Sequence, residues 1–193
     1  NIGLSEIEIY GEESDIEAAE NKNHVNAAGV TAEASTTEAS SLPVSNIKDG
    51  NNQTRWASDY SEASKQTVTV TFPKVTLVKE LDFDLHTRDV APMPSNVKSF
   101  DLVYADAAGT EHTVKISNAK STESGKTGYV TNVQHIFETP VYMKSFKMTN
   151  FDLQIDIEGQ NGYNNISILE VRAYSNDQSE TPQGQTLDEV VAS

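Results

Sequence analysis

The chain has 193 residues, with 29 Asp and Glu against 14 Lys and Arg and a formal net charge of −15. A surface of that sign repels phosphate backbones and anionic lipid headgroups, which argues against nucleic acid and membrane as partners and favours cations. There is no cysteine, so disulfides, zinc–thiolate sites and cysteine nucleophiles are absent together.

That length fits one domain with a real core and room for tails. Residues 1–23 form an N-terminal extension. Within it "IGLSEIEIYG", Ile2–Gly11, aligns without a gap on "ISILEVRAYS", Ile166–Ser175. It is therefore either the last strand of a preceding similar module or an extra strand of this one. The segment "SDIEAAENKNH" is the only one with helical character, and it is short.

Next comes "NIKDGNNQTRWAS", Asn46–Ser58, which packs Asp, Gly, Asn, Asn, Gln and Thr ahead of the only Trp of the chain. A surface turn uses two or three such residues, and a surplus of oxygen donors points to a hard cation. An EF-hand starting at Asp49 would need Gly at its sixth position and Glu at its twelfth, where Thr54 and Tyr60 stand. The remaining alternative is a polar turn in which Asp49 accepts as an ordinary Asx turn.

Alternation dominates after residue 65. "QTVTVTF" sets Val68, Val70 and Phe72 on one face, and "LDFDLH" sets Leu81, Phe83 and Leu85 on one face with Asp82, Asp84 and His86 opposite. That opposite face is expected to be solvated. "SFDLVYADAAGTEHTVKI" predicts a hairpin turning at Gly109, and "YMKSFKMTNF" and "ISILEVRAYS" predict further strands. Many short strands between Gly, Pro and Asn turns predict an all-β, antiparallel sandwich or jelly roll. Residues 176–193 are polar and aperiodic, as in a linker.

No apolar run approaches the roughly 18 residues of a membrane span. Nothing assembles a catalytic apparatus: His24, His86, His112 and His135 have no metal-protease spacing, and no nucleophile elbow or P-loop occurs. Two N-x-S/T sequons exist, at Asn52 and Asn165. A glycan on the first would sit inside the oxygen-rich run, which favours a bacterial source.

The pattern "NIKDGNNQTRW", followed by "SILEVRAY" and preceded by the Ala- and Ser-rich "AGVTAEASTTEAS", resembles the coagulation factor 5/8 type C or discoidin-like domain. Within that group it is similar to the family 32 carbohydrate-binding modules and to the galactose-binding modules of bacterial β-galactosidases. The resemblance covers residues 24–175. It implies a discoidin-like β-sandwich jelly roll with a structural calcium ion. The implied ligands are the carbonyls of Asn46, Asn51 and Leu169, the carboxylates of Asp49 and Glu170, and the hydroxyl and carbonyl of Thr54. Trp56 would lie in the core beneath the loop. Calcium needs about six to eight hard oxygens, more than the loop alone supplies.

A pyranose offers an apolar face and a rim of hydroxyls, so its binder presents an aromatic ring beside planar hydrogen-bonding groups. The resemblance places such groups at Arg88, Asn96 and Tyr163, with His86 and Tyr60 near the same rim. It implies a non-catalytic module binding terminal galactose-type glycans such as lactose and N-acetyllactosamine. Such a module accompanies a glycoside hydrolase in a secreted or wall-attached bacterial protein, in tandem with other modules and monomeric when isolated. A protein-binding or adhesion module of the same fold is the alternative. A third, phospholipid binding, conflicts with the charge.

Overall fold

The computed structural model describes residues 22–87, 96–121, 130–157, 160–161 and 164–178. Its strands are β1 (Thr31–Ala34), β2 (Trp56–Ala57), β3 (Val68–His86), β4 (Asn96–Ala105), β5 (Glu111–Ser117), β6 (Val130–Gln154), β7 (Asp156–Ile157), β8 (Gln160–Asn161) and β9 (Ser167–Tyr174). Two short 3-10 helices, Val44–Lys48 and Ala63–Lys65, are the helical elements among the described residues. Most of the segment with helical character, along with the Ile2–Gly11 echo, lies outside the described residues.

The main ladder runs β2-β9-β3-β6-β4-β5, with β1 also on β3, and all its pairs are antiparallel. It closes into two layers because β3 and β6 are long and each changes partner along its length. Residues 68–71 of β3 pair with β1 and with 145–148 of β6, whereas residues 80–86 pair with 130–136 of β6 and, over 80–85, with β9. The register breaks between Thr71 and Thr76 and again between Val78 and Glu80, irregularities of the kind that bend a strand and turn it from one layer into the next. The two runs "QTVTVTF" and "LDFDLH" are thus one strand serving both layers.

Phe83 in one layer meets Phe100 in the other edge-on, with ring centroids 5.0 Å apart. Phe100 continues to Phe151 at 5.5 Å, and Phe72 meets Phe146 at 6.0 Å. Each such ring removes about 2–3 kcal/mol worth of apolar surface from water. Val68, Val70, Leu81, Leu85, Leu102, Met148 and Val171 complete the core, which is the set of inward positions that period-2 alternation selects. The predicted hairpin is β4–β5, and Gly109 adopts φ +83° in its turn, a left-handed conformation that other residues rarely take.

The opposite face of β3 corrects the expectation of solvation. Asp82, Asp84 and His86 are each only 8% exposed and Glu80 is fully buried. Neighbours on β6 and β9 fold over them: Asp84 pairs across the ladder with Asn132 and Glu170, and Asp82 with Gln134 and Arg172. The second sequon is sealed as well, since Asn165 is 1% exposed and donates to Ser58 O.

Candidate functional site

Asn46 to Thr54 make a loop whose shape is set by its own side chains. Asp49 Oδ1 accepts the Asn51 N–H at 2.8 Å, and its Oδ2 accepts Thr54 Oγ1 at 2.7 Å. The Asn51 carbonyl accepts both Thr54 N–H, at 3.1 Å, and Thr54 Oγ1, at 2.8 Å. Asn46 Nδ2 donates to Arg55 O at 2.8 Å and ties the loop's two ends together. Gly50 has φ +76°, and a Cβ there would come 2.8 Å from Asn26 Nδ2, so the tight turn requires glycine.

Glu170 enters from β9, 119 residues from Asn51 in sequence. The single N–H of Asn51 donates to Glu170 Oε1 at 2.9 Å as well as to Asp49. Two carboxylates thus converge on one donor. Glu170 is 3% exposed, and its Oε2 has no hydrogen-bond partner among the described residues. Burial raises its carboxyl to about 7, helped by a hydrogen bond to Asp49 and by that residue's charge. Burial pushes Asp49 upward too, but donation from Thr54, Asn51 and the Glu170 carboxyl outweighs it and leaves Asp49 below its ordinary value. A pair of this kind is at rest only with a proton or a cation between its oxygens.

The next residue inward is Leu169. In the β3–β9 ladder Asp84 is opposite Glu170 and Leu85 opposite Ile168, so Leu169 is the extra residue of a bulge. On the other side Trp56 pairs with Ile168, and Leu169 has no partner in either ladder. An orphaned buried carboxylate oxygen, a second carboxylate beside it and a bulged backbone form a donor set of hard oxygens, which suits calcium. No cluster of three or more His, Cys, Asp or Glu occurs among the described residues, so such a set must be completed by carbonyls and a hydroxyl. Trp56 lies beneath the loop, fully buried, with Nε1 donating to Thr36 O at 3.1 Å.

Of the expected sugar contacts, Arg88 and Tyr163 lie outside the described residues. His86 ends β3, with Nδ1 3.3 Å from Ser167 Oγ. Asn96 begins β4 opposite Gln154 and is 1% exposed. Tyr60 is 49% exposed, and its hydroxyl donates to Glu38 Oε1 at 2.6 Å.

Between the oxygen-rich loop and the outer face of β3 lies a cleft of about 460 Å³, lined by Asn52, Gln53, Arg55, Asp84, His86, Val130 and Leu169. Among the described residues His86 is the only expected sugar contact in it, while Leu169, expected as a metal ligand, forms part of its wall. Arg55, Asn52 and Gln53, which line the cleft, were not among the expected site residues for the sugar, and Asp84 was expected to be solvated. A usable signal was there: Trp56 points inward, so Arg55 one residue earlier must point out.

A family model described as F5/8 type C domain matches residues 31–171. No curated protein sequence matches the chain significantly. Among solved structures the chain resembles the family 32 carbohydrate-binding module of Clostridium perfringens NanJ, determined with galactose. The identity is 21%, covering 75% of this chain and 93% of that one, with a TM-score of 0.54. A family 32 module from a family 31 glycoside hydrolase of the same organism is 16% identical over 80% of this chain and 98% of that one, also at 0.54. Chitosan-binding module 1 of a Paenibacillus sp. IK-5 chitosanase/glucanase is 18% identical, over 80% and 99%, with a TM-score of 0.53. At these identities the likeness speaks for the β-sandwich.

Proposed function

Because the chain belongs to the F5/8 type C domain family, we propose that it is a non-catalytic carbohydrate-binding module for terminal galactose-type glycans, stabilised by calcium and carried by a secreted bacterial glycoside hydrolase. The observation that carries the sugar reading is the polar cleft at His86, the last residue of β3, of a size to admit a sugar ring. The solved relative with galactose supports the choice of sugar.

In this reading Arg88 and His86 hold ring hydroxyls, Tyr163 stacks on the apolar face, and Tyr60 borders the rim. Asn96, buried at the start of β4, would act on the sugar from within the sandwich wall rather than as an exposed contact. An axial 4-hydroxyl meets these groups, whereas a glucose-type ring leaves them imperfectly paired. Calcium would be held by the carboxylates of Asp49 and Glu170, the carbonyls of Asn46, Asn51 and Leu169, and Thr54. When bound it supplies the positive charge that lets Glu170 remain ionised. The chain's own part is to fasten the loop to β9 through Asn51 N–H and Glu170.

Titration calorimetry with lactose, N-acetyllactosamine and cellobiose tests the sugar. A shallow site with one aromatic ring predicts a Kd on the order of 0.1–1 mM for the galactosides. Cellobiose should bind more weakly, and Arg88→Ala and Tyr163→Ala should each lose most of the heat. Equal heats for both sugar types, or full binding by both variants, would reject the site. A folded, calcium-loaded sample that binds no glycan on an array would leave the protein-binding module standing instead.

A further inference from the structure

The inward side chains of the last strand are spaced unevenly. Ile166, just before β9, and Ile168, Val171 and Ala173 within it are fully buried in the core, at intervals of two, three and two residues, whereas a regular strand repeats every two. The odd interval is the bulge at Leu169. Without it position 170 would follow Ile168 into the core. With it Glu170 turns to the oxygen-rich loop, where its Oε1 accepts the Asn51 N–H at 2.9 Å.

Ile2–Gly11 repeats that interrupted period. Ile2, Leu4, Ile7 and Ile9 stand at intervals of two, three and two, Glu6 precedes Ile7 as Glu170 precedes Val171, and Tyr10 follows Ile9 as Tyr174 follows Ala173. A plain amphipathic strand has no reason to skip a residue, and this skip falls where it frees a Glu from the core face. Two positions keep the segment out of this sandwich or a second copy of it. Glu8 matches Arg172, which stands opposite Asp82 and reaches Asp84, so a carboxylate there would join the acids with no base among them. Ile9 matches Ala173, fully buried opposite Leu81, where the larger side chain would overfill the core. As an extra strand of this sandwich, Glu6 would find no loop to serve, since the chain's single Asp-Gly turn, Asp49-Gly50, already holds Glu170.

We propose that residues 2–11 are the closing strand of a second sandwich of this fold, and that Glu6 supplies the last-strand carboxylate of that sandwich's calcium site. The partner is a related domain and not a copy of this one. Opposite Glu8 it carries a base or amides where this sandwich has Asp82 and Asp84, and opposite Ile9 it carries a side chain smaller than Leu81. The inference rests on the calcium part of the functional reading and extends it to a neighbouring domain. Residues 12–21 can span at most about 35 Å, and the described chain starts beside the end of β9, where His24 N–H donates to Ala173 O at 2.9 Å. The two domains are therefore close neighbours, a spacing that lets two weak sites act together.

The test is scanning calorimetry, in calcium and in chelator, on the full chain, on a chain shortened to begin at Glu12, and on a graft. In the graft Ser167→Gly, Ile168→Leu, Leu169→Ser and Val171→Ile carry the pattern of residues 2–7 into β9. The shortened chain should melt within about 1 °C of the full chain and show the same calcium-dependent rise. The graft should fold and keep at least about half of that rise, because the bulge and Glu170 are retained. Deleting Leu169 from the full chain restores regular alternation and should abolish the rise. Where the fourfold graft does not fold, the core pair Ile168→Leu with Val171→Ile decides in its place.

A shortened chain that melts more than about 3 °C lower makes residues 2–11 an extra strand of this sandwich and overturns the inference. A folded graft without the calcium rise overturns it as well, and so does a rise that survives deletion of Leu169. Failure of both grafts to fold shows that the segment is no equivalent of β9. A wild type with no calcium rise at all is a separate result, which removes the calcium reading and the role of Glu6 with it.

Discussion

Two places in this molecule crowd carboxylates together, and they resolve the crowding in opposite ways. On the outer face of β3, Glu80, Asp82 and Asp84 stand in one column. Gln134 Nε2 reaches Glu80 Oε1 at 3.1 Å and the Gln178 N–H reaches Oε2 at 2.6 Å, while Asn132 and Arg172 hold Asp84. Only Asp82 Oδ1 lacks a partner there among the described residues. Burial, a hydrogen bond that the Asp82 carboxyl donates to Glu80 and that residue's charge push the Asp82 carboxyl well above the usual carboxylate range. At the oxygen-rich loop, Asp49 and Glu170 share one N–H and are surrounded by further oxygens. Like charges can be reconciled by protons and protein donors or by an external cation, and the chemistry of the neighbours tells which. Amides and a guanidinium encircle the column, whereas carbonyls, a hydroxyl and a bulge encircle the loop.

The strongest way to break that contrast is chelation. Calcium at about 100 times its Kd adds about 2.7 kcal/mol, which for a chain of this size is about 5–10 °C in melting temperature. A chelator should remove that shift and leave a folded sandwich, and Asp49→Ala or Glu170→Ala should each abolish most of the sensitivity. An unchanged melting curve for metal-loaded protein would show that the loop is held by protons alone.

Arg172 touches both regions, since it pairs with Asp84 and its charge opposes the upward shifts of Asp82 and Glu170. Arg172→Met should cost about 1–2 kcal/mol, or about 3–6 °C, by leaving Asp84 with Asn132 alone. The same change deepens the negative field at the loop, so the calcium-dependent shift in melting temperature should grow. A variant as stable as wild type would mean the column does not rely on that guanidinium.

The smallest effect sharpens the column itself. The folded state holds a proton on Asp82 that the unfolded chain, with a carboxyl near 3.8, releases earlier as pH rises. Stability from this group is therefore complete below the unfolded value and is lost as pH climbs through the raised folded value. Asp82→Asn should flatten that decline and melt about 2–4 °C higher than wild type at pH 8, with little difference at pH 4. Identical pH profiles for the two proteins would place Asp82 in contact with water and undo the contrast.

The sequence alone determined which residues alternate into the core, that the hairpin turns at Gly109, that Trp56 lies inside, and that Asp49 and Thr54 belong to one oxygen-rich loop. The burial of Trp56 came from the family resemblance, and the others follow from short-range geometry: a strand repeats every two residues, a left-handed turn selects glycine, and a loop of nine residues closes on itself. Only the tertiary structure decided that β3 is one strand shared by both layers, that Asp82, Asp84 and His86 are covered rather than solvated, and that Arg55 lines the cleft with its Nε buried and unsatisfied among the described residues. Alternation says which side of a sheet a residue takes but not what neighbouring strands lay over it. Whether a charge is paired depends on groups far away in the chain, as with Arg172 reaching Asp84 from 88 residues on. The meeting of Glu170 with Asn51 is of the same kind, since only the folding of β9 beside the loop brings that carboxylate to the turn.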